Sequence, residues 1–361
     1  MVAMSGGLDS SVAALLVKKA GYQPVGATLR LWVDPYAKEK AVTRSWRGSP
    51  SDAVSEARSV ARALNIPHYV FDMQEAFYKH VVCYFSEEYL KGRTPNPCLA
   101  CNRQIKFSLL MQKARTMGIN YLATGHYARI CYEPTTKRFR LLKGVDSEKD
   151  QSYMLFTLNQ EQLSALIFPL GNLFKQDVRD LALKAGLKVA QKDESQEICF
   201  IPDNDYRGFL KRRNPQAFIP GDIISVSGKK LGRHKGLAFY TIGQRKGLGL
   251  TSAVPLYVTR IDTKKNLLVV GEEEHTYSKG LIAEELSFVS GIQPAETYKA
   301  EVKIRYRSSP VPATLFPPTG SSMKLFFKTA QKAVTPGQAA VFYAGEEVLG
   351  GGIICAPIPL Y

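Results

Sequence analysis

The stretch Val2-Ala3-Met4-Ser5-Gly6-Gly7-Leu8-Asp9-Ser10-Ser11-Val12-Ala13-Ala14-Leu15-Leu16-Val17 decides the fold. A short apolar run, two glycines with small polar residues, and a long apolar run read as strand, tight turn and helix. Paired glycines let the backbone N–H groups approach a ligand, and the following helix N-terminus adds unpaired N–H groups and partial positive charge. Such a turn holds an anion of the size of pyrophosphate. The spacing is neither G-x-x-x-x-G-K-[ST] nor G-x-G-x-x-G, so it is not a Walker A loop or a dinucleotide fingerprint. The plainer alternative is an ordinary Gly-rich turn with Ser or Asp as the helix N-cap.

Beyond this run, strand-like segments alternate with helical ones up to about residue 200: residues 24–29, a helix over 53–64, residues 68–71, a helix over 77–90, and residues 121–124. Alternation of this kind implies right-handed crossovers and a doubly wound parallel sheet of the α/β class. Ligands of such sheets lie at the carboxyl ends of the strands, where Gly6, Gly7, Thr28, Leu29 and Gly125 fall. From Pro220 the texture turns to short β-rich runs, and another set begins near Ser278. We therefore expect a small mixed domain and then a C-terminal β-barrel, with divisions at 1–202, 203–276 and 277–361. Residues 46–50 read as a polar loop.

The chain has 48 Lys and Arg against 32 acidic residues, a net charge of +16, which favours a polyanionic partner. The excess is concentrated. From Asp205 to Leu250 there are ten basic residues, Arg245 and Lys246 among them, against two acids, interleaved with Tyr206, Phe209, Phe218, Phe239 and Tyr240. Basic residues among aromatics suit a surface that tracks phosphates, although a solvated face would look alike. No apolar run reaches the ~18 residues of a membrane span, and no export signal opens the chain, so we expect a cytoplasmic protein with no membrane attachment. Six cysteines are too sparse for a disulfide scaffold. Cys98 and Cys101 form half of a zinc-type pair, but no second C-x-x-C exists, so no metal site is expected there. Arg93, Arg103 and Lys106 stand near Cys101 in sequence and would lower a thiol pKa. Cys83, Cys131 and Cys355 read as packing.

The opening run resembles the SGGxDS pyrophosphate loop of the adenine nucleotide hydrolase-like ATP pyrophosphatases. Five further motifs follow in order: residues 94–102 (TPNPCLACN), 123–127 (ATGHY), 149–153 (KDQSY), 243–249 (GQRKGLG) and 335–338 (TPGQ). Together they resemble the tRNA-specific 2-thiouridylase family over nearly the whole chain.

The resemblance implies an ATP-dependent sulfurtransferase that adenylates the C2 oxygen of the wobble uridine of a tRNA and replaces it with sulfur. It implies ATP contacts from Ala3, Met4, Ser5, Gly6, Gly7, Leu8, Asp9, Ser10, Leu29 and Gly125, with Gly125 small so that the nucleotide can approach. Asp9 would hold Mg²⁺ or cap the helix. It implies Cys199 as persulfide carrier and Cys101 as nucleophile, able to end as a Cys101–Cys199 disulfide. It places His126, Lys149, Asp150, Gln151, Arg305 and Tyr306 near tRNA, and Gln338 near the target uridine. Many members carry Asp where this chain has Cys98, so Cys98 is an auxiliary thiol, or Cys98, Cys101 and Cys199 together ligate an iron–sulfur cluster. Their scattered spacing favours the persulfide route. A persulfide donor protein and a reductant would be supplied by partners, with the enzyme acting as a monomer. Two rivals remain at this point: a synthetase or amidotransferase using the same loop on another substrate, and a catalytically silent RNA-binding protein.

Overall fold

The computed structural model describes residues 1–37, 50–191, 198–215 and 218–360; the side chains of Pro50 and Ser51 are outside the description, as are most of the expected 46–50 loop and Ser195–Glu197 ahead of Cys199. The first unit is a parallel sheet of five strands in the order β3-β2-β1-β4-β7. These strands are β1 (Val2–Ala3), β2 (Gly26–Arg30), β3 (His68–Asp72), β4 (Leu122–Ala123) and β7 (Leu166–Ile167). Alternate strand residues feed opposite faces. Val2, Met4 and Ala123 pack with α1 (Leu8–Lys19), α2 (Pro50–Ala63) and the helix Lys175–Lys184. Met1, Ala27 and Leu122 pack on the other side with Leu99, Phe107, Leu110 and Met111. The expected doubly wound arrangement is present: helices cover both faces of the central strands β1 and β4, which read as apolar runs, while the edge strand β3 keeps Tyr69 and Asp72 exposed.

The expected helix over 77–90 extends across residues 74–90, and residues 97–116 form a second continuous helical run. Both widen into i→i+5 geometry, over Tyr78–Cys83 and Cys101–Leu110.

A four-stranded mixed sheet follows in the order β10-β11-β8-β9, made of β8 (Gly221–Ser225), β9 (Lys230–His234), β10 (Tyr257–Asp262) and β11 (Leu267–Gly271). Only the β11–β8 pairing is parallel. The last unit comprises β12 (Tyr277–Phe288), β13 (Tyr298–Lys303), β14 (Val311–Leu315), β15 (Met323–Lys332), β16 (Ala339–Ala344) and β17 (Glu347–Pro359), and pairing of β12 with both β15 and β17 closes it into a barrel. Residues 128–143 add something not read from sequence. The hairpin of β5 (Ala128–Glu133) and β6 (Arg138–Lys143) pairs through Leu141 and Leu142 with β17 of the barrel. A segment of the first unit thereby extends the sheet of the last. Cys131, expected as packing, lies exposed on this hairpin.

Candidate active site

The glycine turn joins β1 to α1 as expected, but its cap differs from both alternatives. Gly7 is the N-cap and no side chain caps α1, so the first N–H groups of the helix are left for an incoming anion. The small polar side chains brace the turn instead: Ser10 Oγ accepts from the Ser5 N–H at 3.1 Å, and the Ser10 and Ser11 hydroxyls donate to the Gly7 carbonyl at 3.1 and 2.8 Å. Gly6 has φ +73°, a conformation that favours glycine, and a methyl group there would sit 2.8 Å from the Ala53 carbonyl oxygen of α2. The cradle fits a pyrophosphate group by its bare N–H groups and lack of side chains.

Gly125 is closely packed against protein backbone. A methyl group on it would lie 2.8 Å from both the Asp9 carbonyl carbon and the Ser10 nitrogen. Its smallness lets the segment after β4 lie against the start of α1.

Asp9 is the hub of a network that sequence reasoning missed. Its Oδ1 accepts from the Tyr127 hydroxyl at 2.9 Å and pairs with Lys175 Nζ at 2.7 Å. Lys175 opens its helix, and its N–H donates to the carboxylate of buried Asp146 at 2.9 Å. Tyr127 stood inside a quoted motif and could have been singled out; Lys175 carried no motif. The segment after Asp146 turns out to be internal wiring. Asp150 is buried, accepting from the Gly144 and Ser152 N–H groups at 3.0 Å each and from the Ser152 hydroxyl at 2.9 Å. Buried and so engaged, its carboxylate is not presented at the surface expected to face RNA. Gln151 accepts from the Tyr127 N–H at 3.1 Å, and both it and Lys149 are half-buried.

Cys101 lies within the helical run, one turn past its start, while Asn96 caps that start by accepting from the Cys98 N–H at 3.1 Å. Cys98 and Cys199 keep exposed surface and Cys101 is buried; all are free thiols. Burial in the dense surround pushes all three thiols up, Cys101 to about 11, and the mutual influence of Cys98, Cys101 and Cys199 shows that the fold gathers them although 98 residues separate Cys101 from Cys199. The direction is opposite to the lowering expected from the neighbouring basic residues. Arg93 and Arg103 are engaged elsewhere, with Glu88 at 2.7 Å and Glu285 at 2.9 Å, which leaves Lys106 as the cation that favours all three thiolates. Five residues in an α-helix turn the chain by about 140° past one full turn, to the far face. The i→i+5 widening between Cys101 and Leu110 carries Lys106 back toward Cys101. Among the described residues, no group of three or more His, Cys, Asp or Glu is arranged to hold a metal ion.

His126 is half-buried between the rings of Phe107 and Phe168, with Nδ1 2.7 Å from the Thr124 hydroxyl. Burial, with Lys106 adding, holds its pKa well below the usual value, so it is neutral. It can exchange a hydrogen bond with RNA but carries no charge to a phosphate.

All three units converge on the cysteine loop. Gln338 Nε2 donates to the Thr94 carbonyl at 2.7 Å, the Thr94 N–H donates to the Pro336 carbonyl at 2.8 Å, and the Thr94 hydroxyl meets that of Thr241 at 3.1 Å. Gln338 is thus tied to the cysteine loop through backbone. Arg245 and Lys246 are exposed on a turn of three left-handed glycines, Gly243, Gly247 and Gly249. Arg305 is exposed and bonds the Lys332 carbonyl, and Tyr306 packs its ring 6.1 Å from Tyr153. No helix among the described residues is long and apolar enough to cross a membrane.

Residues 1–203 match the family model described as tRNA methyl transferase HUP domain, 207–272 its PRC-barrel domain, and 278–354 the aminomethyltransferase beta-barrel domain. The chain is 50% identical over 354 residues to tRNA-specific 2-thiouridylase MnmA 1 of Caldanaerobacter subterraneus subsp. tengcongensis, covering 98% of this chain and 97% of that protein. It is 49% identical over 355 residues to tRNA-specific 2-thiouridylase MnmA of Carboxydothermus hydrogenoformans, covering 98% and 96%, and 47% identical over 354 residues to that of Acetivibrio thermocellus, covering 98% of each. The model's description names methyl transfer and the relatives' names thiolation; an anion cradle for ATP and gathered thiols are the equipment of the second. The chain belongs to the tRNA-specific 2-thiouridylase family.

Proposed function

We propose that this enzyme activates O2 of the wobble uridine of a tRNA with ATP and exchanges it for sulfur carried on Cys199. The observation that carries this reading is the pairing of an uncapped glycine turn with three gathered thiols, one of which lies outside the loop of the other two. Uracil O2 is a poor leaving group. Its attack on the α-phosphate of ATP expels pyrophosphate into the turn formed by Ser5–Ser10, and O2 then leaves as part of AMP. Mg²⁺ bound with ATP would neutralise phosphate charge. Asp9 suits that ion only in exchange for its pair with Lys175, whose ammonium would then face the phosphates.

The terminal sulfur of a Cys199 persulfide attacks C2. The Cys101 thiolate then attacks the inner sulfur of Cys199; the S–S bond to the transferred sulfur breaks, 2-thiouridine is left, and a Cys101–Cys199 disulfide forms. Two electrons from an outside reductant restore the thiols. The alternative order, in which Cys101 first frees hydrosulfide, consumes the same bonds. Lys106 stabilises whichever thiolate forms, and Cys98 is an auxiliary thiol beside them. We assign the organisation to units at 1–202, 203–276 and 277–361, the last two presenting Arg245, Lys246, Arg305 and Gln338 toward the RNA, with His126 and Lys149 at its margin. The enzyme works as a cytoplasmic monomer fed by a persulfide donor protein. Thiolation of a tRNA transcript by purified protein with ATP and a persulfide donor tests the reading. Loss of thiolation in Cys199→Ser with tRNA-dependent pyrophosphate release retained is the expected signature, and full thiolation by Cys199→Ser would refute the assigned carrier.

A further inference from the structure

In the middle unit a hollow of about 490 Å³ opens between the helix Tyr206–Arg213 and the end of β9. Its walls include the rings of Phe218 and Phe239, whose centroids are 4.6 Å apart and which keep part of their surface exposed. Its rim carries Lys211, Arg233 and Lys235, all exposed and none in an ion pair among the described residues. The nearby carboxylate, Asp222 opposite Arg233, is paired with Lys230 at 2.8 Å. Buried His234 adds no charge. Gly236 N–H donates to its Nδ1 at 3.1 Å, its Nε2 lies 3.1 Å from the Asn266 carbonyl, and burial lowers its pKa.

Flat apolar walls beneath unpaired cations describe a site for a unit that is aromatic and anionic at once. The hollow is of the size that holds small molecules. Its place selects the ligand: two residues past Phe239, Thr241 hydrogen-bonds Thr94 of the cysteine loop, so whatever fills the hollow is near neighbour to the substrate strand. We propose that this hollow takes a second unstacked nucleotide of the bound tRNA, its base against Phe218 and Phe239 and its flanking phosphates on Lys211, Arg233 and Lys235. A base within a duplex cannot enter, so the site selects single-stranded RNA beside the target. This inference rests on the tRNA-thiolation reading above.

The test uses the full chain and an unmodified tRNA transcript with uridine at the wobble position. Wild-type protein is first assayed for tRNA-dependent pyrophosphate release; failure there refutes the thiolation reading itself. If it succeeds, tRNA affinity is measured for Phe218→Ala, Phe218→Leu and Phe218→Trp. Loss of a stacked base weakens binding about tenfold in the Ala and Leu variants with the salt slope unchanged, while Trp restores it. The triple variant Lys211→Ala, Arg233→Ala, Lys235→Ala lowers the salt slope by about two to three. Binding within twofold of wild type for Phe218→Ala, or rescue by Leu as complete as by Trp, overturns the proposal, because Leu fills space without offering a ring face.

Discussion

Gln338 donates a hydrogen bond to the carbonyl of Thr94, 244 residues earlier, and so couples the entry of β16 in the barrel to the loop that carries Cys98 and Cys101. Its neighbour Gly337, at φ +92°, lies so close that a methyl group would stand 2.9 Å from the Thr94 nitrogen and carbonyl carbon. The barrel is therefore in direct contact with the loop that carries the two cysteines.

Gln338→Ala removes one buried-end hydrogen bond, worth about 1 kcal/mol, and is expected to lower the thiolation rate about fivefold with ATP affinity unchanged. Gly337→Ala forces a left-handed Ala against backbone and is expected to cost about 2 kcal/mol or more of stability in urea titration. An unchanged rate in the first and an unchanged midpoint in the second would show that the contact is incidental.

Asp9→Ala should abolish tRNA-dependent pyrophosphate release while tRNA affinity by filter binding stays within a few-fold, since the turn serves ATP and the basic surface serves RNA. Lys175→Ala is expected to raise the KM for ATP about tenfold or more, as loss of one charge-assisted partner at a phosphate site would. Joint loss of ATP turnover and tRNA binding in folded protein contradicts this division.

Because burial raises the Cys101 thiol to about 11, its thiolate is scarce at neutral pH and grows as pH rises. Alkylation of Cys101 by iodoacetamide is thus expected to climb about tenfold per pH unit between pH 7 and 10. Lys106→Ala withdraws the charge that favours the thiolate, so its curve shifts to higher pH. A curve levelling off near pH 7, or one unmoved in Lys106→Ala, argues against the assigned electrostatics.

Arg245→Ala with Lys246→Ala is expected to weaken tRNA binding and reduce the slope of log affinity against log salt by about two, one per lost phosphate contact. An unchanged slope marks this turn as merely solvated.

The parallel sheet, its glycine turn and the β-rich second half were legible because apolar runs, glycine pairs and their spacing are local signals. The hairpin 128–143 was missed because its partner strand, β17, lies some 200 residues away. The cysteine electrostatics misled for a similar reason: Arg93 and Arg103 are near in sequence, yet Glu88 and Glu285 hold them. Lys175 was invisible because a lone Lys at a helix start carries no pattern until the fold brings Asp9 to it. Asp150 was placed near tRNA by resemblance alone, and a motif does not show that its carboxylate also holds the Gly144 and Ser152 N–H groups.

The most direct test of the account is thiolation by anaerobically purified protein, with iron and acid-labile sulfide measured on the same sample. The account predicts iron-free protein that, given ATP and a persulfide donor, converts the wobble uridine of a tRNA transcript to 2-thiouridine with one pyrophosphate released per sulfur transferred. Stoichiometric iron, lost together with activity in Cys98→Ala, would contradict it.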